Sequence, residues 1–135
     1  MENKFNEILL ELDRYMMDCH SRGLSVKTMR SYEQTLRLFI RYLSEKHDIT
    51  RADRVKKEHI KAYFTYVRER GKYGALVDDR TAAINGPHNR PDYRKPVSET
   101  TLANYQRNIK AFFSYLKREK IIRKNPFEGI ENIKP

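Results

Sequence analysis

The sequence has no tryptophan, one cysteine among 135 residues, and no apolar run near the roughly 20 residues that cross a bilayer. The single thiol, Cys19, excludes an internal disulfide and a zinc site built from several cysteines. None of the paired spacings of a metal site is found among the histidines, which are His20, His47, His59 and His88. The acidic, amphipathic start MENKFNEILL is unlike a signal peptide. We therefore expect an intracellular protein with no bound metal and no membrane partner.

Glycine and proline are also scarce, and they are concentrated in one stretch. Three of the five glycines and three of the five prolines fall within residues 71–97. This composition predicts a long irregular loop, which is uncommon inside a compact domain. A solvated loop is the simplest interpretation. Its basic residues could also contact a phosphate backbone; these are Arg80, Arg90, Arg94 and Lys95. The sequence has no glycine-rich phosphate loop, so we expect no nucleotide or other cofactor.

The charge is strongly positive but unevenly distributed. Lysine and arginine outnumber aspartate and glutamate by 28 to 18, which gives a net charge of +10. Residues 1–20 nevertheless carry two basic and five acidic side chains, so their net charge is −3 and the remainder carries +13. Such a basic surface favours a polyanionic partner. We expect the first helix to face away from that partner and the later helices to face it.

One stretch of the chain is repeated. Residues 25–43, SVKTMRSYEQTLRLFIRYL, return 73 residues later as residues 98–116, SETTLANYQRNIKAFFSYL. The identical pairs keep this offset without a gap: Ser25 and Ser98, Thr28 and Thr101, Tyr32 and Tyr105, Phe39 and Phe112, Tyr42 and Tyr115, Leu43 and Leu116. We interpret both stretches as copies of one helix.

Each copy is amphipathic. The apolar residues of the first recur every three or four positions, as on one buried face of a helix: Met29, Tyr32, Leu36, Phe39 and Leu43. A second face carries Lys27, Arg30, Ser31, Gln34 and Arg41. A solvated face is the plain interpretation for a single helix. The repetition favours a surface for an anionic ligand, because the second copy also has polar first turns followed by basic residues.

Both copies begin with a serine that can cap the helix. A serine hydroxyl at the N-cap accepts a hydrogen bond from an otherwise unpaired backbone N–H group. The remaining N–H groups and the positive end of the helix dipole favour a phosphate. We therefore predict ligand contacts at the two helix starts and along their basic face, by Lys27, Thr28, Arg30, Ser31, Thr100, Thr101, Asn104, Arg107 and Lys110.

The periodicity predicts four helices in two hairpins. These helices cover residues 3–19, 26–46, 56–70 and 99–120, and Gly23 ends the first through a positive φ. Beyond them, Pro126 disfavours helix at the preceding residue, and an extended segment follows with Phe127 and Ile130 as anchors. We assign residues 1–122 to one helical domain that contains the loop at 71–97. Residues 123–135 are predicted to be a linker toward another domain.

The two S-x-x-T-x-x-x-Y copies, the helix between them and the terminal Asn125-Pro126 together resemble the N-terminal core-binding domain of tyrosine recombinases, the phage and transposon integrases. The resemblance covers nearly the whole chain. It implies an all-α bundle of four to five helices, made of two crossed helical hairpins with a SAM-like fold. It also implies a DNA-binding module of a bacterial or phage-type mobile element, which clamps duplex DNA at the core recombination site for integration or recombination.

The resemblance bears on individual residues. By position, Lys27, Thr28 and Ser31 match contact residues of the family, and Thr101 and Asn104 occupy the same places in the second copy. The loop at 71–97 is longer than is typical, which leaves the placement of the fourth helix on DNA open. Double-stranded DNA and a catalytic domain of the same parent chain are the implied partners, and self-assembly on DNA is left open.

The family's catalytic residues belong to a C-terminal domain that we do not find in this sequence. We therefore expect that the chain alone is not an enzyme. Several tyrosines occupy helical positions that suit packing rather than nucleophilic attack: Tyr32, Tyr42, Tyr63, Tyr105 and Tyr115.

Two other classes of binding protein are open. A basic helical module that docks an acidic protein partner would also explain the charge. A helix-turn-helix repressor is the weakest alternative, because it needs two short helices joined by a tight turn, whereas both copies here are long and far apart. A small independent enzyme would need a nucleophile paired with a base, and the sequence has no such pair that we can identify.

Overall fold

The structure is a computed structural model that describes residues 5–71 and 96–135. Every regular element in these residues is helical: α1 (Glu7–Ser21), α2 (Val26–His47), a short 3-10 turn (Ala52–Arg54), α3 (Lys57–Arg70) and α4 (Glu99–Arg118). The all-α prediction is confirmed, and α2 begins at the predicted residue. The body of the predicted loop, residues 72–95, lies outside the described residues.

Helices α1 and α2 form the first hairpin. The side chain of Asn6 caps α1 by accepting a hydrogen bond from the N–H of Leu9 at 3.1 Å. Gly23 then adopts a φ of +79°, as predicted, and the N–H of Leu24 returns to the carbonyl of Cys19 at 3.1 Å. This left-handed turn is accessible to glycine without steric cost, so the chain reverses within a few residues.

Helix α2 is the centre of the domain, because it packs against α1, α3 and α4. Its predicted apolar face is confirmed. Leu36, Phe39 and Leu43 are fully buried, and Met29 and Tyr32 pack against the same core. With 22 residues the helix is about 33 Å long, enough to run the length of the domain.

Aromatic rings connect all four helices through the core. The ring of Tyr15 on α1 lies 5.5 Å from that of Phe112 on α4, and Phe112 lies 5.7 Å from its neighbour Phe113. Phe113 is edge-on to Phe39 of α2 at 6.1 Å, and Phe39 is edge-on to Tyr63 of α3 at 5.0 Å. Edge-to-face pairs at these separations add attraction to the burial of apolar area. The ring contacts therefore join the four helices in one continuous core.

Helix α3 contacts two neighbours. Its larger contact is with α2, and it also approaches α4 where the guanidinium of Arg68 binds both carboxylate oxygens of Glu99. This contact lies at the start of α4. The predicted pairing of α3 with α4 as a second hairpin is weak beyond this contact, because α4 packs mainly against α2 and α1.

After α4, the chain turns back and packs on the helix that it has just left. Lys120 adopts a left-handed φ of 62°, and the N–H of Ile121 bonds to the carbonyl of Leu116 at 2.9 Å. Phe127 is buried, as its predicted role as an anchor requires. The amide of Gln106 then donates to the carbonyl of Glu131 at 3.0 Å and accepts from the N–H of Ile133 at 2.7 Å.

Replacing Gln106 by alanine should release this C-terminal segment. The side chain is buried and satisfies two backbone groups, and each unsatisfied group costs about 1–3 kcal/mol. We expect the hydrogen-exchange protection of the Ile133 amide to fall by roughly 5- to 150-fold, measured by NMR. The neighbouring Arg107→Ala, on the exposed side of the helix, is the control. Unchanged protection at Ile133 in the Gln106 variant would show that the Gln106 side chain does not hold the C-terminal segment.

Two histidine rings lie together where α2 meets α3. The ring centroids of His47 and His59 are 4.9 Å apart, and His47 Nε2 lies 2.9 Å from the hydroxyl of Tyr42. Nδ1 of His59 accepts a hydrogen bond from the N–H of Lys56 at 2.9 Å, so this nitrogen must be unprotonated. Burial, together with His47, lowers the pKa of His59 below its usual value. The neutral ring caps the start of α3.

The stability of the domain should therefore fall in mildly acidic solution. Because the pKa of His59 is lower in the folded state, the unfolded chain takes up its proton first, from about pH 6.5 downward. The loss should level off below the folded-state pKa. His59→Asn, whose side-chain oxygen can accept the same hydrogen bond, should weaken this dependence in urea unfolding curves between pH 7.5 and 5. His20→Asn, at an exposed position on α1, should keep the wild-type slope, and equal slopes in both variants would contradict the assignment.

Candidate nucleic-acid interface

The two copies of the repeat begin with the same cap geometry. The hydroxyl of Ser25 accepts from the N–H of Thr28 at 3.1 Å and donates to the hydroxyl of Thr28 at 3.0 Å. Ser98 and Thr101 repeat both bonds at 3.1 Å and 3.0 Å. The backbone angles of the two serines agree within one degree, with φ −66° and ψ 155° at Ser25 and φ −67° and ψ 154° at Ser98. The predicted serine caps are confirmed.

A polar groove lies between the second to fourth turns of α2 and the first three turns of α4. This inter-helix groove has a volume of about 160 Å³, and its lining residues are Ser31, Gln34, Thr35, Leu38, Thr101, Asn104, Tyr105 and Asn108. Corresponding turns of the two helices form its walls. The walls are therefore built by the two helices that carry the serine caps.

A buried amide joins the two walls of the groove. Nδ2 of Asn108 on α4 lies 3.1 Å from the hydroxyl of Ser31, 3.3 Å from the Ser31 carbonyl and 3.0 Å from the hydroxyl of Thr35. Asn108 and Thr35 are 5% and 4% exposed, so the bridge is shielded from water. A buried polar group is costly unless it is paired, so these bonds favour one register of α2 against α4.

Seven of the nine predicted contact residues lie in the first two turns of α2 or α4, and Arg107 and Lys110 lie in the third and fourth turns of α4. Thr28 and Thr101, whose hydroxyls bond to the cap serines, are half-buried. The other seven are exposed: Lys27, Arg30, Ser31, Thr100, Asn104, Arg107 and Lys110. The groove brings three of the nine together: Ser31, Thr101 and Asn104. Their role in binding stays a prediction.

Three of the predicted cations on α2 and α4 are available for a ligand. Lys27, Arg30 and Arg107 make no ion pair with any residue in 5–71 or 96–135. By contrast, Arg37 further along α2 is paired with Glu33 at 2.9 Å. The first turn of α2 contains no acidic residue. Glu99 in the first turn of α4 is bound by Arg68, which lowers the pKa of the Glu99 carboxyl and offsets its negative charge.

Five residues of the groove are absent from the predicted set: Gln34, Thr35, Leu38, Tyr105 and Asn108. Gln34 carries a signal in the sequence, because it lies on the same helical face as Arg30 and Ser31. Thr35 and Asn108 occupy equivalent positions of the two repeat copies, and this correspondence is the only sign of the bridge. Leu38 and Tyr105 resemble ordinary packing residues, so no signal indicates that they line a groove.

The tyrosines at helical positions pack as predicted. Tyr42, Tyr63 and Tyr115 are buried, and Tyr32 and Tyr105 pack against the core. Burial raises the pKa of the Tyr42, Tyr63 and Tyr115 phenols above the usual value. A buried phenol with a raised pKa is a poor nucleophile, because the phenolate is disfavoured.

A second basic surface lies at the other end of α4. A cleft of about 960 Å³ is lined by residues from the 52–57 and 120–129 segments. Its cations are Lys56, Lys57, Lys120, Arg123 and Lys124, and its floor includes the apolar Val55 and Ile122. Because α4 is 20 residues long, about 30 Å, the two helix starts and this cleft are separate surfaces.

None of the helices in residues 5–71 and 96–135 has the length and apolar character needed to cross a membrane. The described residues form a helical bundle in which two serine-capped helices enclose a polar groove. This architecture and surface are those of a small helical domain with a candidate site for an anionic ligand.

Comparison with known proteins identifies the family. Residues 12–86 match the phage integrase N-terminal SAM-like domain. The chain is also 31% identical over 125 residues to the tyrosine recombinase XerC of Syntrophus aciditrophicus (strain SB). The aligned residues make up 93% of this chain and 34% of that protein. The chain thus spans about a third of that relative's length. No solved structure matches this chain significantly. The chain belongs to the SAM-like N-terminal domain family of phage integrases, as its resemblance to the tyrosine recombinases implied.

The buried bridge should contribute measurably to stability. Asn108→Ala leaves the Ser31 and Thr35 groups without their partner, so we expect the free energy of unfolding to fall by about 1–3 kcal/mol in urea titrations followed by circular dichroism. Asn104→Ala, one turn earlier on the same helix and exposed, should change it by less than about 0.5 kcal/mol. Equal effects of the two substitutions would show that burial of the bridge does not determine the register.

Proposed function

We propose that this chain is the DNA-binding, core-binding domain of a site-specific tyrosine recombinase. It would hold duplex DNA at the core recombination site through the two serine-capped helix starts. The single observation that carries the proposal is the matched cap geometry of these two starts, on the two helices that form the inter-helix groove. The N–H groups of these two helix N-termini and the unpaired cations would together contact the phosphates of one duplex.

The charge distribution supports this orientation. Lys27, Arg30 and Arg107 are unpaired within the described residues, whereas the one acidic residue in the first turn of either helix, Glu99, is offset by Arg68. Phosphate contacts from such groups position a protein on DNA and supply most of its salt-dependent affinity. The acidic helix α1 would face away from the duplex.

The parent protein would then supply the chemistry elsewhere. Family membership and the partial coverage of the XerC relative support a parent chain in which this domain precedes a catalytic domain. The present residues would bind and position DNA without cleaving it, with residues 123–135 leading toward that domain. We propose that the parent protein acts inside the cell, because its proposed partner is DNA, and that it belongs to a bacterial or phage-type mobile element. Self-assembly of the parent protein would occur on the DNA.

A protein-interaction role is the second candidate, and the basic cleft at the far end of α4 favours it. Cations around an apolar floor suit a segment that carries both acidic and apolar side chains. Under this alternative, the chain would bind such a protein tightly and DNA only weakly. The two candidates therefore place the important cations at opposite ends of α4.

Salt-dependent DNA binding tests the proposal. If about five phosphates are contacted, affinity for a random-sequence duplex should fall roughly 500-fold between 50 and 200 mM salt, measured by fluorescence anisotropy. Lys27→Ala/Arg30→Ala should lower the affinity. It should also make the dependence of log affinity on log salt concentration less steep, by the equivalent of about two phosphate contacts. The melting temperature should stay near that of the wild type, because both side chains are exposed.

A control with the same change of charge makes this test specific. Arg123→Ala/Lys124→Ala also removes two positive charges from exposed positions, but it does so in the basic cleft. It should keep most of the wild-type affinity. If both double variants lost affinity equally, the binding would depend on net charge rather than on the helix starts. Absence of DNA binding at 50 mM salt would favour the protein-interaction candidate.

A further inference from the structure

We propose that the inter-helix groove reads adenine–thymine base pairs in the major groove of DNA, with Gln34 and Asn104 each recognising one adenine and Leu38 contacting a thymine methyl group. This inference rests on the proposed function, because it assumes that the helix starts face DNA. It adds sequence recognition to a surface that otherwise needs only phosphates.

The two amides are free to bind a base. Gln34 on α2 and Asn104 on α4 are both exposed and line the groove from opposite walls. Within the residues that the structure describes, neither side chain makes a hydrogen bond. Each therefore presents one acceptor oxygen and one donor NH₂ group to the solvent at the mouth of the groove.

Adenine is the base that fits an amide. In the major groove adenine offers an acceptor at N7 beside a donor at N6, and a Gln or Asn side chain can bond to both at once. Guanine offers two acceptors, N7 and O6, so the amide oxygen would face another oxygen. Cytosine and thymine each present a single polar group there, which leaves half of the amide unpaired.

An apolar side chain lies beside these amides. Leu38 is half-buried and lines the same groove, one turn after Gln34 on α2. The partner of adenine is thymine, and its C5 methyl is the one apolar group that a base pair presents in the major groove. A groove with amides at its mouth and a leucine on its wall therefore has both features that distinguish an A·T pair.

The groove is held in a fixed shape. The buried amide of Asn108 ties α4 to Ser31 and Thr35, which are next to Gln34 in sequence or one turn from it. Asn104 precedes Asn108 by one helical turn. Both reading side chains thus project from helices whose register is already fixed, which lowers the entropy lost on binding.

Selection from a randomised duplex pool tests this proposal. Wild-type protein should enrich adenine at two positions, with a preference of roughly 5- to 150-fold for each bidentate contact. Asn104→Ala should lose the enrichment at one position and Gln34→Ala at the other. Arg107→Ala, a phosphate contact in the proposed function, should lower affinity for every sequence and keep both enrichments.

Modified bases then identify the atoms. In the selected duplex, replacing the adenine by 7-deazaadenine removes the N7 acceptor, and this should weaken wild-type binding but have no effect on the variant that lacks the amide reading it. Replacing the paired thymine by uracil removes the methyl group and should also weaken wild-type binding.

The outcomes separate this inference from the proposed function. Salt-dependent DNA binding without adenine enrichment, or with the same enrichment in both amide variants, would overturn the groove reading and leave the phosphate contacts intact. Absence of any salt-dependent DNA binding would overturn both.

Discussion

The crossing of α2 and α4 at a buried amide is the constraint on which the rest of this domain depends. Aromatic packing alone would tolerate a small slide of one helix along the other, since apolar contacts have little directionality. Asn108 removes that freedom, because a slide would leave its NH₂ group and the hydroxyl of Thr35 unpaired in the core. The bridge thereby fixes the two serine-capped helices against each other and shapes the groove between them.

Local features of the fold could be predicted from the sequence. Helix α2 begins where Ser25 predicts, and Gly23 has the expected positive φ. Caps and amphipathic periodicity depend on residues within one or two turns, so the sequence carries them directly. The repeat extends this success, because one capped start implies the geometry of its copy 73 residues later. The helix boundaries are predicted less accurately. Helix α1 begins at Glu7 rather than at residue 3, because the cap at Asn6, and not the apolar periodicity, determines where the helix begins.

The groove could not be predicted because it arises from contacts between distant residues. Thr35 and Asn108 are 73 residues apart, and their equivalent positions in the two repeat copies do not by themselves indicate that the side chains are in contact. The same holds for Gln106, whose partners lie in the C-terminal segment. Charge availability is equally non-local. Glu99 would count against a phosphate site in the sequence, and only the approach of α3 shows that Arg68 offsets it.

The hydrogen bonds between Gln106 and the C-terminal segment have a consequence for any domain joined to the chain after Pro135. A free tether of about 15 residues would let its far end wander over roughly 20 Å. Because the segment after Arg118 is docked along α4 as far as Ile133, that freedom is removed. A module attached there would start from a fixed point relative to the helix starts. Its effective concentration at the bound DNA would then depend on the few residues that follow, rather than on the whole segment.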